Sequence, residues 1–262
     1  MPRIKYLLCL LVLLASTCCF AQTTDHLLWM QQPAISPDGQ WIAFEYKGNI
    51  YKVSVAGGPA TPLTANSFYN GYPKWSHDGS ALAFASDRYG NFDVFIMPSS
   101  GGKAIRLTYA STRDIPCDFS KDGKMVYYET NAHDKFTSVR IPEDNIWLKL
   151  YAVPSQGGRS ILINSAGTEY ASFNQLGDKL LFQDKKGDED PYRKHHISPA
   201  ARDIWYFDMK SKSYTKLSDF GGENREPVWG DGKHFYYLSE RSSNEDITLK
   251  YKSNFFSVWR YR

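Results

Sequence analysis

The feature that most limits what this chain can fold into is a repeat. One glycine recurs as Gly39, Gly79, Gly123, Gly177 and Gly232, at spacings of 40, 44, 54 and 55 residues. A turn leads into it: Ser36-Pro37-Asp38-Gly39, Ser76-His77-Asp78-Gly79, Ser120-Lys121-Asp122-Gly123, the decayed Asn174-Gln175-Leu176-Gly177, and a shorter Gly230-Asp231-Gly232. Asp-Gly signals a turn because glycine takes positive φ without a Cβ clash. Four residues before the glycine stands Ile35, Trp75, Phe119 or Phe173, and Trp229 stands one residue closer. Three after it come Ile42, Leu82, Val126, Leu180 and Phe235; five after it come Phe44, Phe84, Tyr128, Phe182 and Tyr237. Side chains alternate along a strand, so the +3 and +5 positions share one face.

A third strand follows, opened by a short polar residue: Asn49-Ile50-Tyr51, Asp93-Val94-Phe95, Asn145-Ile146-Trp147, Asp203-Ile204-Trp205 and Asp246-Ile247-Thr248. Three units then carry a Gly-Gly turn (Gly57-Gly58, Gly101-Gly102, Gly157-Gly158). A fourth strand ends at Leu63-Thr64, Leu107-Thr108, Ile163 or Leu217-Ser218. Four-stranded antiparallel units repeating every 40 to 55 residues predict an all-β chain with a β-propeller architecture. The blades fall at approximately 28–64, 72–108, 115–164, 169–218 and 225–262. A β-sandwich would have to repeat the same offsets five times by accident. The aromatic content, 15%, suits strands. No Gly-His…Trp-Asp signature occurs, which excludes the WD-type propeller. The last unit reads as incomplete, its third strand degraded at Thr248-Leu249-Lys250, so the chain is expected to belong to a six- or seven-bladed ring. A prematurely ended or fragmentary frame and a divergent closing blade are both open readings.

The units differ mainly in the loop joining strands two and three. Two long insertions, 129–144 and 183–202, are expected on one rim, opposite the Asp-Gly turns. Insertions gathered on one face commonly mark a binding surface. The second contains Glu189-Asp190-Pro191-Tyr192-Arg193-Lys194-His195-His196. Here Arg193, His195, His196 and Arg202 are candidates to meet a peptide carboxylate through charge-assisted hydrogen bonds. A solvated loop is the plainer reading. A metal site is disfavoured, because adjacent histidines in extended chain point opposite ways and no third ligand has metal spacing.

The chain opens with Arg3 and Lys5, an apolar stretch from Tyr6 to Ser16, and small residues at Cys19 and Ala21. That pattern predicts a signal peptide, 1–21, with Gln22 as the mature N-terminus and export to the periplasm or medium. A membrane anchor or lipidation at Cys18 or Cys19 is the alternative. No membrane span is expected after cleavage. Cys117 alone then remains, too few for a disulfide, and its strand context reads as a packed thiol. Net charge is +3, which excludes a strongly basic nucleic-acid binder.

Catalytic motifs are missing. There is no Gly-x-Ser-x-Gly elbow, no His-Glu-x-x-His, no P-loop and no dinucleotide fingerprint, so neither catalytic residues nor a cofactor is expected here. His77 occupies a variable turn position and reads as exposed.

Two stretches carry a family resemblance. Pro33-Ala34-Ile35-Ser36-Pro37-Asp38-Gly39, with Ile42-Ala43-Phe44 and Gly48-Asn49-Ile50-Tyr51-Lys52-Val53, resembles the first blade of tricorn-type proteases. The segment from Glu189 to His196, continuing to Ala201-Arg202-Asp203-Ile204-Trp205, resembles the same proteases. The repeat alone also resembles Tol-system propellers and those of prolyl-oligopeptidase-like enzymes. The tricorn resemblance implies a secreted multidomain serine peptidase whose N-terminal propellers filter or channel peptides. A PDZ module and a C-terminal-processing-peptidase-like core would follow. The expected role is therefore a non-catalytic, substrate-handling propeller, with peptides or unfolded segments as partners. The alternatives are a stand-alone periplasmic propeller that docks proteins, or the propeller of an α/β-hydrolase peptidase.

Overall fold

A computed structural model describes residues 29–131, 148–184, 200–230, 234–240 and 248–253. They form five antiparallel sheets, each a meander in chain order. Blade 1 is β1 (Gln31–Ile35), β2 (Trp41–Tyr46), β3 (Asn49–Ser54) and β4 (Thr61–Pro62). Blade 2 is β5 (Asn70–Trp75), β6 (Ala81–Ser86), β7 (Asp93–Pro98) and β8 (Ile105–Arg106). Blade 3 is β9 (Asp114–Phe119), β10 (Met125–Thr130), β11 (Lys149–Pro154) and β12 (Ile161–Asn164). Blade 4 is β13 (Thr168–Phe173), β14 (Lys179–Asp184), β15 (Ile204–Asp208) and β16 (Tyr214–Lys216). Blade 5 shows β17 (Asn224–Trp229), β18 (His234–Ser239) and β19 (Thr248–Ser253).

The turns fold themselves. Gly39, Gly79, Gly123 and Gly177 have φ near +70°. In the first three, the serine hydroxyl accepts the N–H that opens the second strand: Trp41 to Ser36, Ala81 to Ser76 and Met125 to Ser120, each at 2.9 Å. Asn174 does this for Lys179 at 3.0 Å. The Leu-Thr endings have a similar local purpose. Thr64 Oγ1 accepts the Ile50 N–H at 2.9 Å and donates to Asn49 at 3.0 Å. Thr108 takes the Val94 N–H. Ser218 takes the Ile204 N–H and donates to Asp203. The polar opener of strand three and the hydroxyl ending strand four are thus one device, which ties a short outer strand to its blade.

The shared +3/+5 face packs against the preceding blade. Leu82 and Phe84 meet Ala43, Ile50 and Leu63 of blade 1. Val126 and Tyr128 meet Ala83, Val94 and Leu107. Leu180 and Phe182 meet Cys117 and Leu150. Phe235 and Tyr237 meet Leu181, Ile204 and Leu217. Burying each such large side chain contributes about 1.5–3 kcal/mol. Trp75 and Trp229 add a tie each, donating their indole N–H to Ala34 O and Ser172 O of the blade before.

Two strand assignments differ from expectation. In blade 3 the third strand opens at Lys149, four residues beyond Asn145, because Tyr128 pairs with Tyr151 and Glu129 with Leu150. Leu150 is fully buried, so the inward position selects this register; Asn145-Ile146-Trp147 lie outside the described residues. In blade 5 Tyr237 pairs with Lys250 and Leu238 with Leu249. The stretch read as degraded, Thr248-Leu249-Lys250, is therefore paired strand, and Asp246-Ile247 lie outside the described residues. Cys117 is buried, and burial together with the charges of Glu129 and Asp118 pushes its thiol pKa well up.

Candidate functional site

The meander sends the two–three loops and the loops between blades to one rim, and the Asp-Gly and Gly-Gly turns to the other. The strand ends that flank both insertions, at Thr130 and Lys149 and at Asp184 and Ile204, lie at the first rim.

The first strands of consecutive blades pack on one another, β1 on β5, β5 on β9, β9 on β13 and β13 on β17. At the insertion rim they share an irregularity. Ladder register slips at Gln31/Ala34, Gly71/Lys74, Glu169/Ser172 and Arg225/Val228. Inside each bulge a non-glycine residue takes positive φ: Gln32 at 51°, Tyr72 at 56°, Tyr170 at 54° and Glu226 at 51°. Such a conformation costs on the order of 1 kcal/mol per residue and clusters where function needs it. Blade 3 has Pro116 here, whose ring holds φ negative, and its slip is confined to Cys117.

A side chain reaches in to hold three of these bulges. Tyr72 N–H donates to Gln32 Oε1 at 2.6 Å, Ala171 N–H to Glu129 Oε1 at 2.8 Å, and Glu226 N–H to Gln183 Oε1 at 2.8 Å. Each acceptor belongs to the preceding blade, so assembly of the blades stabilises the bulges.

The result is a polar patch at this rim. The Tyr72 hydroxyl accepts from Arg113 Nη2 at 2.7 Å, and the Arg113 guanidinium lies over the Tyr72 and Phe92 rings. Tyr170 and Glu226 are exposed. Behind them runs a buried ionic chain. Glu169 takes Gln183 Nε2 at 2.7 Å and Arg202 Nε at 3.3 Å. Arg202 Nη1 lies 2.8 Å from Glu223 Oε1, and Arg225 Nε lies 3.1 Å from the same oxygen. Burial works against the Arg202 charge, but Glu223 and Glu169 outweigh it and raise its pKa. Burial, then the Glu169 charge, lifts the Glu129 carboxyl to about 7. Such a patch can hold polar groups and chain ends through charge-assisted hydrogen bonds.

Of the residues named from sequence, Arg193, His195 and His196 lie outside the described residues. Arg202 is described and buried, its guanidinium spent on Glu169 and Glu223. His77 sits at the opposite rim, with Nε2 3.1 Å from Phe119 O. Among the described residues no group of three or more His, Cys, Asp or Glu could hold a metal ion. Sequence reading missed Tyr72, Arg113, Tyr170 and Glu226. A signal was present: three of them, with Gln32, stand three residues before the apolar anchors Ile35, Trp75, Phe173 and Trp229. That is the one inner-strand position where the units vary in polar and aromatic character.

The chain matches the family described as the tricorn protease N-terminal beta propeller domain over residues 27–261. It is 28% identical over 219 residues to an uncharacterized protein of Agrobacterium fabrum, covering 78% of this chain and 68% of that one. It is 24% identical over 212 residues to tricorn protease homolog 1 of Streptomyces coelicolor, covering 78% of this chain but only 18% of that one. Its fold is similar to the solved structure of a TolB protein from Agrobacterium tumefaciens, with TM-score 0.67, 16% identity, and 86% and 77% of the two chains covered. With most of its length matched, this chain belongs to the tricorn protease N-terminal β-propeller family.

Proposed function

We propose that this propeller is the substrate-handling part of a tricorn-type peptidase and takes peptides or unfolded segments at the axial mouth, without cleaving them itself. The observation that carries the reading is the repeated bulge, which sets Gln32, Tyr72, Tyr170 and Glu226 at equivalent places in the mutually packed first strands on the insertion-bearing rim. The family match and the tricorn protease homologue support the peptidase context. In this reading Arg193, His195 and His196 reach peptide from the insertion, and Arg202 braces Glu169 from behind. A cleaved signal, 1–21, would deliver the chain to the periplasm or medium, as the likeness to TolB proteins also supports. PDZ and peptidase domains would be its partners in a longer protein.

The test is fluorescence anisotropy with labelled unstructured peptides, beside a hydrolysis assay. Wild-type protein should bind without turnover. Arg113→Ala combined with Glu226→Ala should weaken binding about tenfold, the worth of one charge-assisted contact. Changing Arg193, His195 and His196 to alanine should weaken it further. Binding that ignores both variants removes the mouth from the site. Turnover lost to a serine-reactive inhibitor would overturn the non-catalytic reading. Capture of a folded protein with no affinity for peptides would favour the stand-alone docking propeller that the TolB likeness raises.

A further inference from the structure

A second depression lies at the same rim, off the axis, between blades 1 and 2. It is an open cleft of about 790 Å3, lined by Trp29, Glu45, Lys47, Phe68, Tyr69 and Asp87 among others.

Two residues of the first strand of blade 2 shape its wall. Gly71 stands where the sister blades carry Gln31, Ile115, Glu169 and Arg225. A Cβ there would meet Gln32 Oε1 and Tyr69 Cε1 at 3.0 Å, with Glu45 Cγ at 3.7 Å, so the missing side chain lets Tyr69 and Gln32 pack against this strand beside Glu45. Pro73 stands where blade 4 has Ala171. Glu45 occupies the repeat position of Glu129, but proline has no N–H to offer it. Its carboxylate bonds instead within the cleft wall. Gly48 N–H donates to Oε1 at 3.0 Å and the Tyr69 hydroxyl to Oε2 at 2.8 Å. Burial and the Glu45 charge raise the Tyr69 pKa, so this phenol remains a donor. Tyr69 N–H also binds Asp87 Oδ1 at 2.8 Å, linking both acids through one residue.

Glu45 is only 4% exposed, and no cation among the described residues lies within ion-pairing distance of it. Each carboxylate oxygen retains accepting capacity after one bond. A buried carboxylate in this state is stabilised by an incoming cation. Trp29 is 83% exposed and Phe68 45% exposed. They supply apolar walls, and their ring faces favour positive charge. Among the ionisable lining groups two acids face one base, Lys47.

We propose that the cleft between blades 1 and 2 binds an ammonium group borne on an apolar body, with Glu45 as its anion and Trp29 and Phe68 as its walls. A peptide N-terminus and a lysine side chain both present this chemistry. The site does not rest on the axial reading, since Glu45, Trp29 and Phe68 are none of the residues assigned to that reading.

Three probes separate the sources: leucinamide, N-acetyl-lysinamide and N-acetyl-leucinamide. They are titrated into the full chain by calorimetry and by tryptophan fluorescence. The first or second should saturate and the third, with no ammonium, should not. Tighter leucinamide binding assigns a peptide N-terminus, and tighter N-acetyl-lysinamide binding assigns a lysine side chain. Glu45→Gln should lower affinity about tenfold, with a thermal melt confirming the fold. If that variant unfolds, Asp87→Asn carries the same test. Arg113→Ala should leave probe binding intact while weakening axial peptides, so the two sites fail separately. Equal binding of leucinamide and its acetylated form, unchanged affinity in the folded acid variant, or no saturation by about 10 mM, beyond which affinity is weaker than any specific site needs, would overturn the proposal.

Discussion

The junction between blades 1 and 2 and the junction between blades 3 and 4 are built from the same four repeat positions and end in opposite states. At the first stand Glu45, Gly71, Tyr72 and Pro73; at the second stand Glu129, Glu169, Tyr170 and Ala171. In the second, Glu129 takes the Ala171 N–H, and Glu169 fills the space beside it and engages Gln183 and Arg202. That seam is closed. In the first, glycine admits Tyr69 and Gln32 where the carboxylate would stand, proline offers no donor, and Glu45 lines a cleft.

The largest expected effect breaks the closed seam. Arg202→Ala removes the cation that Glu169 pairs with and one of the two that face Glu223, leaving Arg225 on the latter, and should cost about 3 kcal/mol at pH 7, read as a lower urea midpoint. A loss below about 1 kcal/mol would mean that this ionic chain is surface-like.

Glu129→Gln should act in the other direction. Its folded carboxyl is raised from 4.5 to about 7. A raised carboxyl favours the folded state below the unfolded value and loses that contribution as pH rises through the folded one. The amide keeps an acceptor for Ala171 N–H and carries no charge. The variant should therefore match wild type near pH 4 and exceed it by about 1–2 kcal/mol at pH 8, less than the full shift implies because the group is only partly buried. Urea melts at the two values check this, and a pH-independent difference would refute the assigned cause.

The smallest effect converts one seam toward the other. Three sister blades carry proline at this place (Pro33, Pro73 and Pro227), so the backbone at Ala171 should accept Ala171→Pro. The change deprives Glu129 of its N–H, a loss of about 1–3 kcal/mol. A stiffer unfolded chain returns about 0.4–1 kcal/mol. A net loss near 1 kcal/mol at pH 8 is expected, shrinking when Glu129→Gln is added. Full additivity of the two changes would show that they do not interact.

Much of the fold was legible in the residues. Each turn satisfies its own backbone within about five positions, as Ser36 with Trp41 shows, and alternation places Phe84 and Tyr128 inward in any antiparallel strand. Blade 3 was misread because Asn145-Ile146-Trp147 imitates the polar opener, while Lys149-Leu150-Tyr151 does not resemble it. Only pairing with Glu129 and Tyr128 selects the true register.

From sequence alone came the all-β class, the four-stranded unit, its turns, and the rim from which the insertions depart, because these depend on neighbours along the chain. Tertiary structure decided the bonded bulges at the rim and the cleft. Tyr72 meets Gln32 across 40 residues and Ala171 meets Glu129 across 42. Neither partner is marked locally, since each bond exists only where one blade's second or first strand lies against the bulge of the next. Burial of Glu129 and Arg202 is likewise a property of assembled blades. Packing consecutive sheets face to face is what removes water from groups that, in a single unit, would be solvated.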